Sequence, residues 1–148
     1  METVILLPGE GEHIEAGASV AVMKATAETT GGAFSMSEGT FPPGMKGPPP
    51  HAHQYTTDTF YVLEGTLHVM VNNREIDAPA GSYIVVPPGV VHTFANTSDA
   101  PVRFLNINAP GGWEKYLRDL SDATHSGTMP GTPDFAKIVA KYDFVIPR

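Results

Sequence analysis

The chain has 148 residues, with 15 glycines, 14 prolines, six histidines and no cysteine. Its length suits one domain around a single core, and 41% hydrophobic residues are enough to fill one. Nine basic against 16 acidic residues give a net charge of −7 without a basic cluster, which argues against a nucleic-acid partner. The lack of cysteine excludes disulfides, iron–sulfur clusters and thiol nucleophiles, so a protein-bound metal must rest on His, Asp, Glu or carbonyl oxygen.

Glycine and proline make up about a fifth of the chain, which suits short strands joined by turns and argues against a helix bundle. Residues 1–30 read as a weakly patterned lead-in with candidate strands at Thr3–Leu7 and Ser19–Lys24. The apolar run Val4 to Leu7 follows no basic segment and stops at Pro8-Gly9, so it does not read as a signal peptide. No stretch approaches the ~20 apolar residues of a membrane span. A soluble cytoplasmic protein without a membrane partner is the resulting expectation.

Residues 31–110 are dense in strand signals. Phe34–Glu38, Thr59–Leu63, Thr66–Val71, Gly81–Val86 and Val102–Ile107 are short, aromatic or β-branched, and bounded by turn residues. Within Thr66–Val71, Leu67, Val69 and Val71 share one face while Thr66, His68 and Met70 share the other. Asn72-Asn73 then supplies a hairpin turn, because Asn tolerates positive φ. Strands at this spacing predict a β-sandwich or barrel. Beyond Ala109-Pro110-Gly111-Gly112 the period changes. Trp113, Tyr116, Leu117 and Leu120 form the stripe of an amphipathic helix. After a Gly127–Pro133 loop, Thr132 caps a second helix with Pro133 at its first position, carrying Phe135, Ile138 and Val139 and ending near Tyr142. The expectation is a single β-domain over 1–148, with the barrel core at about 31–110 and a two-helix appendage at about 111–148.

The segment richest in chemistry is Pro48-Pro49-Pro50-His51-Ala52-His53. On a strand, His51 and His53 project from one face, and two neutral imidazoles there can share a cation. Asp58 follows five residues later as a possible oxygen ligand, and His92 follows the Pro87-Pro88-Gly89 bend. Three histidines and a carboxylate suit Fe, Mn, Co, Ni or Zn, and ligand type does not choose among them. Each residue also has a bland reading: His-x-His as a polar strand face, His92 as a loop histidine, Asp58 as a solvated turn residue. His13 and His125 read as exposed, and His68 as a surface or interface residue. Phe34, Met36, Tyr55, Phe60, Phe94, Phe104 and Asn106 are candidates to line a cavity, whereas Trp113 reads as a helix-docking residue.

The spacing of these residues resembles the cupin superfamily. Its first motif, His-x-His, three or four residues, Glu, six residues, Gly, is matched by His51, His53, Asp58 and Gly65. Its second, Gly, five residues, Pro-x-Gly, two residues, His, three residues, Asn, is matched by Gly81, Pro87, Gly89, His92 and Asn96. Residues 109–117 are also similar to the C-terminal segment of small quercetin-dioxygenase-like cupins. The sequence departs from the pattern twice. The leading glycine of the first motif would fall at Met45, flanked here by Gly44 and Gly47, and Asp58 replaces the family's Glu. Asp is one methylene shorter, so from an unchanged backbone its oxygen would stop more than ~1 Å short of a metal.

The resemblance implies an all-β jelly-roll (double-stranded β-helix) barrel, usually a homodimer. It also implies one divalent transition metal per chain, held by His51, His53, Asp58 and His92, with a small-molecule substrate in the barrel. Three functions follow from it. The first is a dioxygenase acting on an aromatic, phenolic or enolisable molecule, with Asp58 accepting a proton. The second is a non-redox polyketide cyclase, isomerase or lyase that uses the metal as a Lewis acid. The third is a cupin that binds a small molecule without turnover.

Overall fold

In the computed structural model, residues 1–129 and 131–147 are described. Pro130, inside the expected Gly127–Pro133 loop, and Arg148, the last residue of the expected appendage, lie outside them. The alternation at Thr66–Val71 is realised as strand β5 with those bounds, and Leu67 and Val69 are fully buried. Asn72 and Asn73 both take positive φ (50° and 63°), forming a two-residue turn into β6 (Arg74–Pro79). β5 also pairs with β8 (His92–Ala95), so the smaller sheet runs β6-β5-β8.

The larger sheet is built from β1 (Glu12–Ala16), β2 (Ser19–Ala25), β3 (Ser35–Phe41), β4 (Thr57–Glu64), β7 (Tyr83–Val86) and β9 (Val102–Ala109). Its order is β1-β2-β3-β9-β4-β7, with every pair antiparallel. The inward rows are Ser35, Ser37, Gly39 and Phe41 on β3; Asp58, Phe60 and Val62 on β4; and Val102, Phe104, Asn106 and Asn108 on β9. Phe41, Phe60, Val62, Leu67, Val69, Val86, Val102 and Phe104 meet between the sheets as the core. Each such side chain contributes roughly 1.5–3 kcal/mol of burial free energy. The core fills one end of the barrel, and the polar inward residues of β4 and β9 mark the other.

Two glycines, Gly65 of the first motif and Gly47 ahead of it, are required by close approach. A Cβ on Gly65, which has φ of 76°, would lie 2.4 Å from the Pro101 carbonyl oxygen. One on Gly47 would lie 1.8 Å from the Phe94 oxygen, so Gly47 lets the loop before the histidines press against β8. Four elements escaped the sequence reading: β1, β6, β8 and a one-turn helix α1 (Ala27–Thr30).

The strand expected at Thr3–Leu7 does not form. A turn from Leu7 to Glu10 ends the segment, and Ile5 and Leu7 stay 77% and 61% exposed. β1 instead forms beyond Pro8-Gly9, where a tight turn at Gly17-Ala18 presents β2 as its partner. Strand propensity without a neighbouring edge to pair with does not make a strand.

Helices α2 (Trp113–His125) and α3 (Pro133–Val139) form the small appendage expected. Thr132 caps α3 by accepting from the Phe135 amide. α2 carries a residue its amphipathic stripe does not announce, the buried Glu114. Its Oε1 accepts from the Ala27 amide at 2.9 Å and its Oε2 from Ser35 Oγ at 2.6 Å, tying α2 to α1 and β3. These bonds outweigh burial and hold the carboxyl below its usual range. No helix among the described residues is long and apolar enough to cross a membrane.

Candidate metal centre

The barrel brings His51, His53, Asp58 and His92 together. One donor atom from each lies within 4.8 Å of the others, and all four residues are buried. His51 and His92 are joined by a two-way backbone bridge, His51 N–H to the His92 oxygen at 3.0 Å and His92 N–H to the His51 oxygen at 2.8 Å. Asp58 enters from β4, opposite Asn108 of β9. The proline-rich lead thus delivers His51 and His53, the Pro-Pro-Gly bend leads into His92 at the start of β8, and β4 supplies the carboxylate.

Each imidazole is oriented by a backbone carbonyl. His51 Nδ1 donates to the Pro49 oxygen at 2.8 Å, His53 Nδ1 to the Asp143 oxygen at 2.6 Å, and His92 Nδ1 to the Val90 oxygen at 3.0 Å. A carbonyl only accepts, so Nδ1 carries the hydrogen, and each neutral ring presents a bare Nε2 lone pair to the centre. Asp58 is held from the other side: its Oδ1 accepts from Asn106 Nδ2 at 2.7 Å and Asn108 Nδ2 at 2.9 Å. Its Oδ2 then faces His92 Nε2 at 3.0 Å and His53 Nε2 at 3.5 Å. The shorter carboxylate therefore reaches the donor cluster after all, because β4 carries Asp58 into the centre.

This arrangement fits a cation. His53 Nε2 is buried without a hydrogen-bond partner among the described residues. With neutral imidazoles and an ionised carboxylate, the His92–Asp58 contact sets two electron pairs against each other, an arrangement relieved only by a proton or a metal between them. Burial above all, and then the neighbouring His92 and His53, push the His51 pKa down to about 4, keeping that ring neutral as a ligand must be. Burial would lower His53 too, but the Asp58 carboxylate and the Asp143 carbonyl raise it. Burial would raise Asp58, yet the His53 and His92 rings beside it and the Asn106 amide hold it below its usual range.

A cavity of about 590 Å³ adjoins the cluster, with His51 the one of the four donors in its wall. Its wall includes Phe41, Phe94, Phe104, Trp113, Tyr116 and Phe144, with Ser37 and Asn106 among its few polar side chains. A more open cleft of about 650 Å³ lies between residues 4–8 and the outer face of the larger sheet, with none of the four donors in its wall. Of the cavity residues expected from sequence, Phe94, Phe104 and Asn106 line the space next to the donors, whereas Phe60 is sealed in the core. Phe34 and Met36 do not line it, because β3 turns Ser37 and Gly39 inward, and Tyr55 is 65% exposed. Trp113 does more than dock its helix: its ring meets His53 edge-on at 5.4 Å. His68 lies on the outer side of β5, bonded to Asp77 at 2.8 Å and near Glu75 at 3.4 Å, and His13 and His125 are exposed.

Sequence reasoning missed Asn108, Asp143 and Phe144. Asn108 had a signal, since it follows Asn106 at strand period on a row that also holds Phe104. Asp143 and Phe144 lie in an irregular tail with no periodic signal.

Comparison with known proteins agrees with this picture. The cupin domain family matches residues 37–108. Quercetin 2,3-dioxygenase of Bacillus subtilis is 29% identical over 129 residues, covering 87% of this chain and 38% of that protein. The chain thus spans well under half the length of that relative. The solved structure of KdgF from Halomonas sp. superposes with a TM-score of 0.67 at 15% identity, covering 77% of this chain and 99% of that one. The polyketide cyclase RemF from Streptomyces resistomycificus gives 0.62 at 20% identity, covering 73% and 80%. At these identities the two structures speak for the jelly-roll (double-stranded β-helix) fold alone. With two sheets in that fold, both histidine motifs and the family match across the strands that carry them, the chain is a member of the cupin superfamily.

Proposed function

We propose that the protein is a metal-dependent cupin enzyme, a dioxygenase acting on an aromatic, phenolic or enolisable small molecule. The observation that carries this reading is the set of four convergent donors, one of which, His51, lines an aromatic, largely apolar cavity. Lys46 is the one basic side chain besides His51 in the cavity wall among the described residues, and no arginine lines it, so an apolar ring system suits it better than a sugar acid or phosphate. Likeness to a quercetin 2,3-dioxygenase over most of the chain points the same way.

His51, His53, His92 and Asp58 would hold one divalent transition metal. When bound, it supplies a Lewis-acid position that lowers the pKa of a substrate hydroxyl and admits dioxygen beside it. The chain's own residues do the rest. Asn106 and Asn108 occupy Asp58 Oδ1, leaving Oδ2 toward His92 and His53, where it would accept the substrate proton. Phe94, Phe104, Trp113 and Phe144 exclude water and offer ring faces for stacking. Oxygen uptake by protein reconstituted with Fe, Mn, Co, Ni or Zn, against flavonols and simpler phenols, tests the reading. Uptake with a phenolic substrate, lost in His51→Ala, is the expected result, and no uptake with any metal would overturn it.

A non-redox cyclase or isomerase is the second reading. It is favoured by the paired asparagine clamp, which holds Asp58 as a fixed base whether or not it touches the metal. Turnover in the absence of dioxygen would select it. The expected partner is a second copy of the chain, supported by Tyr61, Tyr83 and Val85 exposed together on the outer face of the larger sheet. Sedimentation equilibrium tests that pairing.

A further inference from the structure

The three imidazoles are oriented by two different devices. His51 and His92 each donate Nδ1–H to the carbonyl two residues earlier, Pro49 and Val90, so each loop carries its own support. For His53 the equivalent acceptor would be the His51 carbonyl, but that oxygen already accepts from the His92 amide at 2.8 Å. His53 instead uses the Asp143 carbonyl, 90 residues away, at 2.6 Å.

Asp143 is itself locked to the segment that follows His53. Its Oδ1 accepts from the Gln54 amide at 2.6 Å. Its Oδ2 accepts from the Tyr55 amide at 3.0 Å, the Thr56 amide at 3.0 Å and Thr56 Oγ1 at 2.8 Å. One carboxylate thus caps three successive amides, while the same residue's carbonyl holds the ring just before them. Neighbours keep this strap in register: Val145 and Ala52 exchange backbone hydrogen bonds at 2.7 and 2.8 Å, and Phe144 packs 5.1 Å from His51 and 5.5 Å from His53.

We infer that Asp143 is a positioning residue for the metal centre: it fixes the ring orientation and tautomer of His53 from the far end of the chain. The inference rests on the metal reading above, but the orientation of His53 is measurable without metal. An outer carbonyl that fixes a metal-bound imidazole is worth about 10–100-fold in metal affinity. Without the carboxylate, three amides lose their acceptor and the carbonyl loses its anchor, so His53 can rotate or change tautomer.

The test uses full-length wild type, Asp143→Ala, Asp143→Asn and, as a control, Tyr142→Phe. Tyr142 bonds to Asp119 and to the Lys115 carbonyl and makes no bond to His53. Proton–nitrogen correlation spectra of the imidazoles in metal-free protein should show His53 protonated at Nδ1 in wild type and in Tyr142→Phe. In Asp143→Ala it should be a mixture of tautomers, with the His51 and His92 signals unchanged as evidence of folding. Zinc affinity, measured by competition with a chromophoric chelator, should fall about tenfold or more in Asp143→Ala. Asp143→Asn, which keeps one acceptor oxygen, should lose at least about threefold and less than the alanine variant. If Asp143→Ala does not fold, the asparagine variant decides by the same measurements. An unchanged His53 tautomer, or an equal loss of zinc in Tyr142→Phe, would overturn the inference. Wild-type protein that binds no metal but shows the tautomer change would overturn the metal reading and leave the positioning role standing.

Discussion

His92 Nε2 and Asp58 Oδ2 face one another at 3.0 Å although the Nδ1 atom of that imidazole already donates to the Val90 carbonyl. Two acceptors at hydrogen-bond distance in a buried site are unfavourable unless a proton or cation sits between them. The expected outcome is that a divalent metal stabilises the protein strongly. At 100 times its Kd it adds about 2.7 kcal/mol, which raises Tm by about 5–10 °C in a chain of this size. Asp58→Asn replaces the opposing lone pair with an N–H donor. Its metal-free stability should stay within about 1 kcal/mol of wild type, while the metal-induced shift in Tm is largely lost. Calorimetry with and without metal and chelator checks both.

Glu114 is a buried carboxylate held by an amide and a hydroxyl from two other elements. Glu114→Ala leaves the Ala27 amide and Ser35 Oγ without that acceptor, and should cost about 2–3 kcal/mol. Urea unfolding would show the loss as a lower midpoint at unchanged slope. Metal affinity should change little, because none of the four donor residues hydrogen-bonds to this network.

Phe60 is fully buried, with Phe94 and Phe104 rings at 4.9 and 6.1 Å. Phe60→Ala removes a large core side chain from β4, the strand that also carries Asp58. A loss of about 3–5 kcal/mol in unfolding free energy is expected.

His68 has its pKa raised above 6.5 by its bond to Asp77 first, against a small burial penalty, with help from Glu75. A raised histidine contributes stability that is present in full below about pH 6.5 and lost as pH rises through its folded value. The site is largely solvated, so the contribution stays below about 1 kcal/mol. Proton NMR titration should place His68 above 6.5, and Asp77→Asn should bring it back down.

Much of this could be read locally. Leu67 and Val69 announced their face by alternation, Asn72-Asn73 announced its turn by tolerance of positive φ, and Thr132-Pro133 announced the start of α3. These signals are short-range, because they arise from sterics and capping within a few residues. The same applies to His51, His53, Asp58 and His92, whose spacing places them in a family before any coordinate is known. Which face of β3 turns inward was not legible. Phe34 and Met36 are more apolar than Ser37 and Gly39, yet pairing with β9 turns the smaller pair toward the cavity.

The sequence by itself therefore determined the strands that alternate strongly, the turns between them, and the identity of the four donor residues. The tertiary structure alone decided whether Asp58 reaches the donors, what holds Glu114, why Thr3–Leu7 forms no strand, and which carbonyl turns His53. The physical reason is common to these cases. A hydrogen bond such as that from His53 to Asp143 joins a side chain to a backbone atom 90 residues away, and any residue at that position would offer the same carbonyl. Only the folded chain shows which one arrives.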